Sequence, residues 1–180
     1  MTEERDHVEP PDLTTFVVLH EALRADAHRL SRMVAALVEA DRATATPPVQ
    51  AWYRGFCAEV AEHHEVEDQI WFPALAAAVP VFEAHLPRLA DEHDGIDRAL
   101  ARCDERLAAL ADPSEPWVLA QVVATEAVDS LRRQLDLHLD FEDDDVLPLL
   151  VRNLDAAEQR ELDARTRDHR YGKLSRLPAN

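Results

Sequence analysis

Two stretches of this chain pair an imidazole with a carboxylate four residues on. The first is His63-His64-Glu65-Val66-Glu67-Asp68-Gln69-Ile70-Trp71-Phe72-Pro73. The second is His138-Leu139-Asp140-Phe141-Glu142-Asp143-Asp144-Asp145-Val146-Leu147-Pro148. On a helix, a spacing of four stacks the two side chains on one face about a turn apart. Superposed, the stretches match His63 with His138, Glu67 with Glu142, Asp68 with Asp143, Phe72 with Leu147, Pro73 with Pro148 and Leu75 with Leu150. Two such copies on otherwise apolar helix faces point to two helices facing each other across a group that needs imidazole and carboxylate together. A pair of metal ions is that group.

Two further histidines lie on apolar stripes. His20 falls among Phe16, Leu19, Leu23, Leu30, Val34 and Leu37; His93 falls among Leu89, Ile96, Leu100, Cys103 and Leu107. His20 to His63 spans 43 residues and His93 to His138 spans 45. Two helical hairpins of nearly equal length result, related by an approximate twofold axis. With turns near Ala45, Pro80 and Ser114, the four histidines reach one level of a bundle to within about 5 to 10 Å. The candidate ligands are His20, His63, Glu67, His93, Asp97, His138 and Glu142. Glu67 and Glu142 would bridge two ions, with His20 and His63 on one and His93 and His138 on the other. Asp97, one turn past His93, is a terminal ligand or else a surface acid. Asp143 is the alternative to Glu142. His64 and Glu65 are expected on the outer face, and His28, His85 and His169 on the surface or behind the ligands; His7 has no role. Imidazole with carboxylate and no thiolate suits iron or manganese. A bundle with scattered core histidines and no metal is the plainer alternative, but unpaired buried acids and imidazoles are costly.

The elements that must carry these residues are helices. The 180 residues include only 3 Gly, and 47% are hydrophobic, which favours one helical domain with a sizeable core. A first helix is expected from Leu13 to about Asp41 behind an Asp12 cap. A second opens at Pro47-Pro48 and kinks or frays at Pro73. The third runs from about Pro87 to Leu110. The fourth runs from about Glu115 to Leu150, with Ser114 a candidate cap. Asp155 to Glu158 reads as a capping box opening a short fifth helix to about Arg167. The fold class expected is all-α, an up-down-up-down four-helix bundle over 13–150. A flexible arm occupies 1–12, and 151–180 hold the short fifth helix and a tail.

A net charge of −17 argues against nucleic-acid backbones and anionic membranes as partners. Cys57 and Cys103 are no disulfide framework; they read as reduced helix residues or as one bridge. With no signal-peptide pattern and no membrane-length apolar run, a cytoplasmic protein is expected, as a monomer or homodimer.

The pattern of a His on helix one, HxxxE with a hydrophobic-Pro ending on helix two, a His on helix three and HxxxE with the same ending on helix four resembles the hemerythrin-like, or HHE cation-binding, family. The resemblance covers about Leu13 to Leu150. It implies a non-haem, oxo- or hydroxo-bridged di-iron centre held by His20, His63, Glu67, His93, His138 and a helix-four carboxylate. Oxygen-carrying members have HxxxH on helix three, where this chain has His93 and Asp97, and HxxxxD on helix four, where it offers Glu142 with Asp143 at the longer spacing. Fewer imidazoles and more carboxylates favour reaction with hydrogen peroxide or O2 over reversible carriage. The function expected is therefore that of a di-iron oxidoreductase handling peroxide or O2. The alternatives are O2 or NO binding or sensing, and oxidation of a small organic substrate.

Overall fold

A computed structural model of the chain describes residues 9–174; the first eight residues of the expected arm, with His7, and the last six of the tail lie outside the described residues. The described residues are all-α. Helix α1 spans Thr14–Ala36, α2 Arg42–Val66, α3 Phe72–Ala78, α4 Leu86–Ala111, α5 Trp117–Phe141, α6 Leu147–Asn153 and α7 Ala156–Leu174. Helices α2 and α3 form one rod, as do α5 and α6. With α1 and α4 they make an up-down-up-down four-helix bundle, in which α1 packs on α2 and α5, and α4 packs on the same two.

The joint inside each rod is a π-helical turn, Glu67–Trp71 in the first and Glu142–Val146 in the second. Phe72 N–H bonds the Glu67 carbonyl and Leu147 N–H bonds the Glu142 carbonyl, each five residues back. The cause lies in the sequence repeat. Pro73 and Pro148 have no N–H for the carbonyl four residues back, and their rings would collide with it. A wider turn relieves the collision, and each proline then sits harmlessly in the first turn of the next segment. Of the kink or frayed end expected at Pro73, the frayed end does not form: the rod continues through the π turn into α3.

Other boundaries shift for local reasons. Helix α1 ends at Ala36, where Leu37 turns extended. Helix α2 opens at Arg42, so Pro47 and Pro48 lie inside it. Both prolines are exposed, and Thr46 Oγ1 donates to the Arg42 carbonyl at 2.7 Å. Ser114 does not cap α5; its N–H and hydroxyl go to Asp112 Oδ1. The capping box forms as read. Glu158 N–H bonds Asp155 Oδ1 at 2.8 Å, and Asp155 N–H bonds Glu158 Oε2 at 2.9 Å.

Helix α7 runs past the expected Arg167 and lies against the first π turn. Trp71 Nε1 donates to Thr166 Oγ1 at 3.2 Å, Arg170 pairs with Glu62 at 2.7 Å, and Leu162 is buried. Residues 9–12 are tied to the start of α7. Ala156 N–H bonds the Glu9 carbonyl, and Gln159 exchanges two hydrogen bonds with the Asp12 backbone.

The core divides into two apolar clusters. One gathers Leu30, Val60, Ile96, Leu107, Leu131 and their neighbours; the other gathers Leu13, Ile70, Leu75, Phe82, Leu89 and Leu150 with theirs. Along every bundle helix a histidine stands where the chain passes from one cluster to the other. His20 lies between Leu13 and Leu23, His63 between Val60 and Val66, His93 between Leu89 and Ile96, and His138 between Leu135 and Phe141. A polar layer is thus sealed between two apolar ones. Among the described residues, no helix is long and apolar enough to cross a membrane.

Candidate metal centre

His20, His63, Glu67, His93, His138 and Glu142 meet in this layer, each no more than 4% exposed. They fall into two overlapping groups, His20–His63–Glu67–Glu142 and Glu67–His93–His138–Glu142. Within each group one ligand atom per residue lies within 4.8 Å of the others. Both carboxylates belong to both groups, and their oxygens divide accordingly. Glu67 Oε1 is 3.4 Å from His63 Nε2 and 3.9 Å from His20 Nε2, while Oε2 is 3.8 Å from His93 Nε2. Glu142 Oε2 is 3.6 Å from His20 Nε2, while Oε1 is 3.3 Å from His138 Nε2 and 3.9 Å from His93 Nε2. Each carboxylate spans the approximate twofold with one oxygen on either side.

Three of the outer ring nitrogens have carboxylate partners. His20 Nδ1 is 2.7 Å from Asp143 Oδ1, His93 Nδ1 is 3.1 Å from Asp68 Oδ2, and His138 Nδ1 is 3.1 Å from Glu92 Oε2. A carboxylate on Nδ1 keeps the proton there and leaves the Nε2 lone pair facing inward, the arrangement of a metal-ligating histidine. The inner atoms have none. Nε2 of His20, His63, His93 and His138, Oε2 of Glu67 and both oxygens of Glu142 are buried without a hydrogen-bond partner. So many orphaned acceptors and imidazole nitrogens converging on one place are costly unless a cation joins them. The donor set fits a metal of the iron or manganese type.

A sequence model of the hemerythrin HHE cation binding domain family matches residues 12–150. The chain belongs to the hemerythrin HHE cation-binding family. No curated protein and no solved structure matches it.

The electrostatics of this hemerythrin domain express the same conflict. Burial, with Glu142 and Asp68 adding negative charge, pushes the Glu67 carboxyl well above its usual range. Burial, reinforced by His20, His138 and His93, drives His63 well below the imidazole range. Burial outweighs Glu142 and lowers His138 too. Burial also pulls on His93, but its bond to Asp68 and the nearby negative charge of Glu142 overcome that and raise it to about 9.

Two sequence expectations need correction, and one alternative is decided. Asp97 is exposed and belongs to neither group. One turn past His93, Ile96 and Leu100 take the inward positions of α4, which turns Asp97 to solvent. His64, expected on the outer face, is 5% exposed. Helix α2 packs on both α1 and α4, and the His64 ring lies against His93 of α4 and His138 of α5, so the buried arc of α2 takes in both histidines. Asp143, the alternative to Glu142, is turned outward; it receives His20 and pairs with Arg24 at 2.8 Å, while Glu142 faces the cluster. His28, half exposed, pairs with Asp136, and His169, partly buried, pairs with Glu65; neither joins the cluster. His85, also outside the cluster, is partly buried between the rings of Phe82 and Phe141.

Sequence reasoning missed the outer carboxylates Asp68 and Glu92. Asp68 had a signal: the repeat already matched it with Asp143, and the two do the same thing for His93 and His20. Glu92 had none, because Leu19 stands at the matching place before His20.

A cavity of about 80 Å³ reaches the cluster beside His63. Phe16, Leu19, Val66 and Trp71 give it apolar walls, and Asp163, Thr166 and Arg170 of α7 give it a polar rim.

Proposed function

We propose that this protein is a non-haem di-iron oxidoreductase that reacts with hydrogen peroxide or O2. The observation that carries the reading is the pair of buried four-residue groups sharing Glu67 and Glu142. His20 and His63 would hold one iron, His93 and His138 the other, and the two carboxylates would bridge them. When bound, two irons supply Lewis acidity and paired redox equivalents. The protein's part is placement. Asp143, Asp68 and Glu92 fix three of the rings, the two apolar clusters exclude bulk water, and the cavity beside His63 admits the reactant. That cavity has room for a few water-sized molecules. This favours peroxide or O2 over an organic substrate. Free thiols at Cys57 and Cys103 fit a reducing compartment, and we place the protein in the cytoplasm.

The test is metal analysis after anaerobic loading with ferrous iron, followed by peroxide or air with optical and oxygen-electrode readout. Two irons per chain, a new near-ultraviolet band and prompt oxygen evolution from peroxide are expected. An iron-loaded protein that neither consumes peroxide nor oxidises in air would sink the assignment. A spectrum that reverses when O2 is withdrawn would move it to reversible O2 binding.

A further inference from the structure

One of the four layer histidines lacks an outer carboxylate. Asp143, Asp68 and Glu92 hold Nδ1 of His20, His93 and His138. Among the described residues no acid meets Nδ1 of His63, whose Nε2 faces Glu67 and Glu142. The His63 ring lines the cavity instead. With Nε2 turned inward, it is the outer edge of the ring, with Nδ1, that borders the hollow.

The approximate twofold explains the hollow. Matching His93 with His20 and His138 with His63 sets Arg88 against Thr15, Glu92 against Leu19 and Phe141 against Val66. On the His138 side these residues fill the space. Glu92 Oε2 takes Nδ1 at 3.1 Å, Arg88 Nε bonds Glu92 Oε1 at 2.7 Å, and the Arg88 guanidinium lies 3.4 Å from the Phe141 ring centroid. On the His63 side Thr15, Leu19 and Val66 all line the cavity. The carboxylate and its guanidinium are missing there, and α7 brings a guanidinium back. Arg170 lines the cavity and adds positive charge at His63. Its Nε bonds Glu62 at 2.7 Å, and among the described residues its terminal amino groups have no ion-pair partner. Thr166 Oγ1 accepts from Trp71 Nε1, so its own proton is available to an acceptor. Asp163, the acid of the rim, receives Gln159 Nε2 at 3.3 Å and stands two turns, about 10 Å, from Arg170 along α7.

We propose that this cavity binds a small aliphatic monocarboxylate, of acetate or propionate size, whose carboxylate holds Nδ1 of His63 from outside as Glu92 holds Nδ1 of His138 from within the chain. One oxygen accepts from the His63 N–H, and the other accepts from Arg170 and Thr166. The alkyl group lies on Phe16, Leu19, Val66 and Trp71. A volume of about 80 Å³ gives room for about five non-hydrogen atoms, which admits these two acids and excludes longer ones. The bound carboxylate braces His63, fixing its ring as the chain's own acids fix the other three. The inference goes beyond the di-iron reading, and the binding itself needs no metal.

The experiment is an NMR titration of the full chain, chelator-treated and carrying ¹⁵N-labelled histidine, with sodium acetate. The His63 side-chain signal, assigned by its loss in His63→Gln, should shift and saturate at one acetate per chain with a Kd of about 1 mM. Propionate should behave alike, and hexanoate should bind at least about tenfold more weakly. Arg170→Gln, at an exposed position of α7, should weaken acetate about 10- to 100-fold. Leu19→Trp, which fills the cavity, should abolish binding, while Arg165→Gln, exposed and outside the cavity lining, should leave it unchanged. A His63 signal that stays put in tens of millimolar acetate would overturn the inference. So would equal affinity in the native protein and Arg170→Gln, hexanoate binding as tightly as acetate, or inorganic phosphate binding where acetate does not. Should Leu19→Trp misfold, Arg170→Gln and the hexanoate comparison decide. Iron uptake is measured on separate samples, so this inference and the di-iron reading can each fail without the other.

Discussion

Replacing Glu67 with methionine should make the metal-free protein more stable and the metal-treated protein less so. Glu67 is 1% exposed, and its Oε2 has no hydrogen-bond partner. Burial and the neighbouring acids Glu142 and Asp68 all disfavour its charged form. An unbranched apolar side chain of similar reach removes that cost. Such exchanges of buried ionic groups stabilise by about 1 to 4 kcal/mol. The 166 residues from 9 to 174 carry an unfolding entropy of about 0.35 kcal/mol per degree. Glu67→Met should therefore raise the apoprotein's Tm by about 3 to 11 °C. Ferrous iron should do the opposite sorting. At a hundredfold its dissociation constant, each ion bound only by the native state adds about 2.7 kcal/mol, or about 8 °C. Two ions should lift the native protein by about 15 °C. Glu67→Met lacks a ligand shared by both groups and should gain little. Anaerobic calorimetry of both proteins, with chelator and with iron, reads all four values. A metal-free Glu67→Met that melts several degrees below the native apoprotein would refute the reasoning, since Glu67 would then be a structural acid with satisfied bonds. Equal iron-induced shifts in both proteins would refute it too.

Other outcomes follow from single contacts. Asp143→Ala and Asp68→Ala, which strip the outer partner from His20 and His93, should each weaken iron binding about 10- to 100-fold. Asp97→Asn should change it by no more than about a factor of two; competition with a chelator separates these cases. Burial pushes the Cys103 thiol up to about 12. At pH 8 its thiolate is on the order of a thousandfold scarcer than that of a free cysteine near 8.5. In a Cys57→Ser background, thiol labelling of the native protein should be slower than labelling in urea by about that factor; labelling at equal rates would contradict the burial. The raised thiol also sets a sign. The stability it contributes is complete below the unfolded value of 9.0 and is lost as pH climbs toward 12, so alkaline melting should show a decline over that window. Tyr53→Phe loses a buried 2.6 Å bond to the Leu100 carbonyl and should cost about 1 kcal/mol without affecting iron uptake, read by denaturation and metal analysis.

Much of this was legible in the residues because the repeat states it twice. A His and a Glu four apart, followed by a proline six residues after the Glu, say helix, inward pair and interrupted backbone in one phrase. The proline even foretold a break, although the chain answered with a π turn and carried on into α3. Local signals of this kind, the Asp155–Glu158 box included, depend on neighbours in sequence and survive reading without a structure. Ser114 was misread because Asp112, two residues earlier, competes for the same hydroxyl and wins.

What the sequence by itself determined was the helical class, the two-hairpin repeat and the four histidines and two glutamates at one level, since apolar periodicity and hairpin length fix which residues share a face and a height. What only the tertiary structure decided was the choice between adjacent residues. Successive helix positions differ by about 100°, and a buried arc can be wider than that. So His64 joins His63 inside because α4 covers that side of α2, with His93 stacked on its ring. Asp97 is left outside because Ile96 and Leu100 already fill the interior of α4. Partners across helices, such as Asp143 for His20 and Glu92 for His138, follow from packing between segments far apart in sequence, and no periodicity within one segment encodes them.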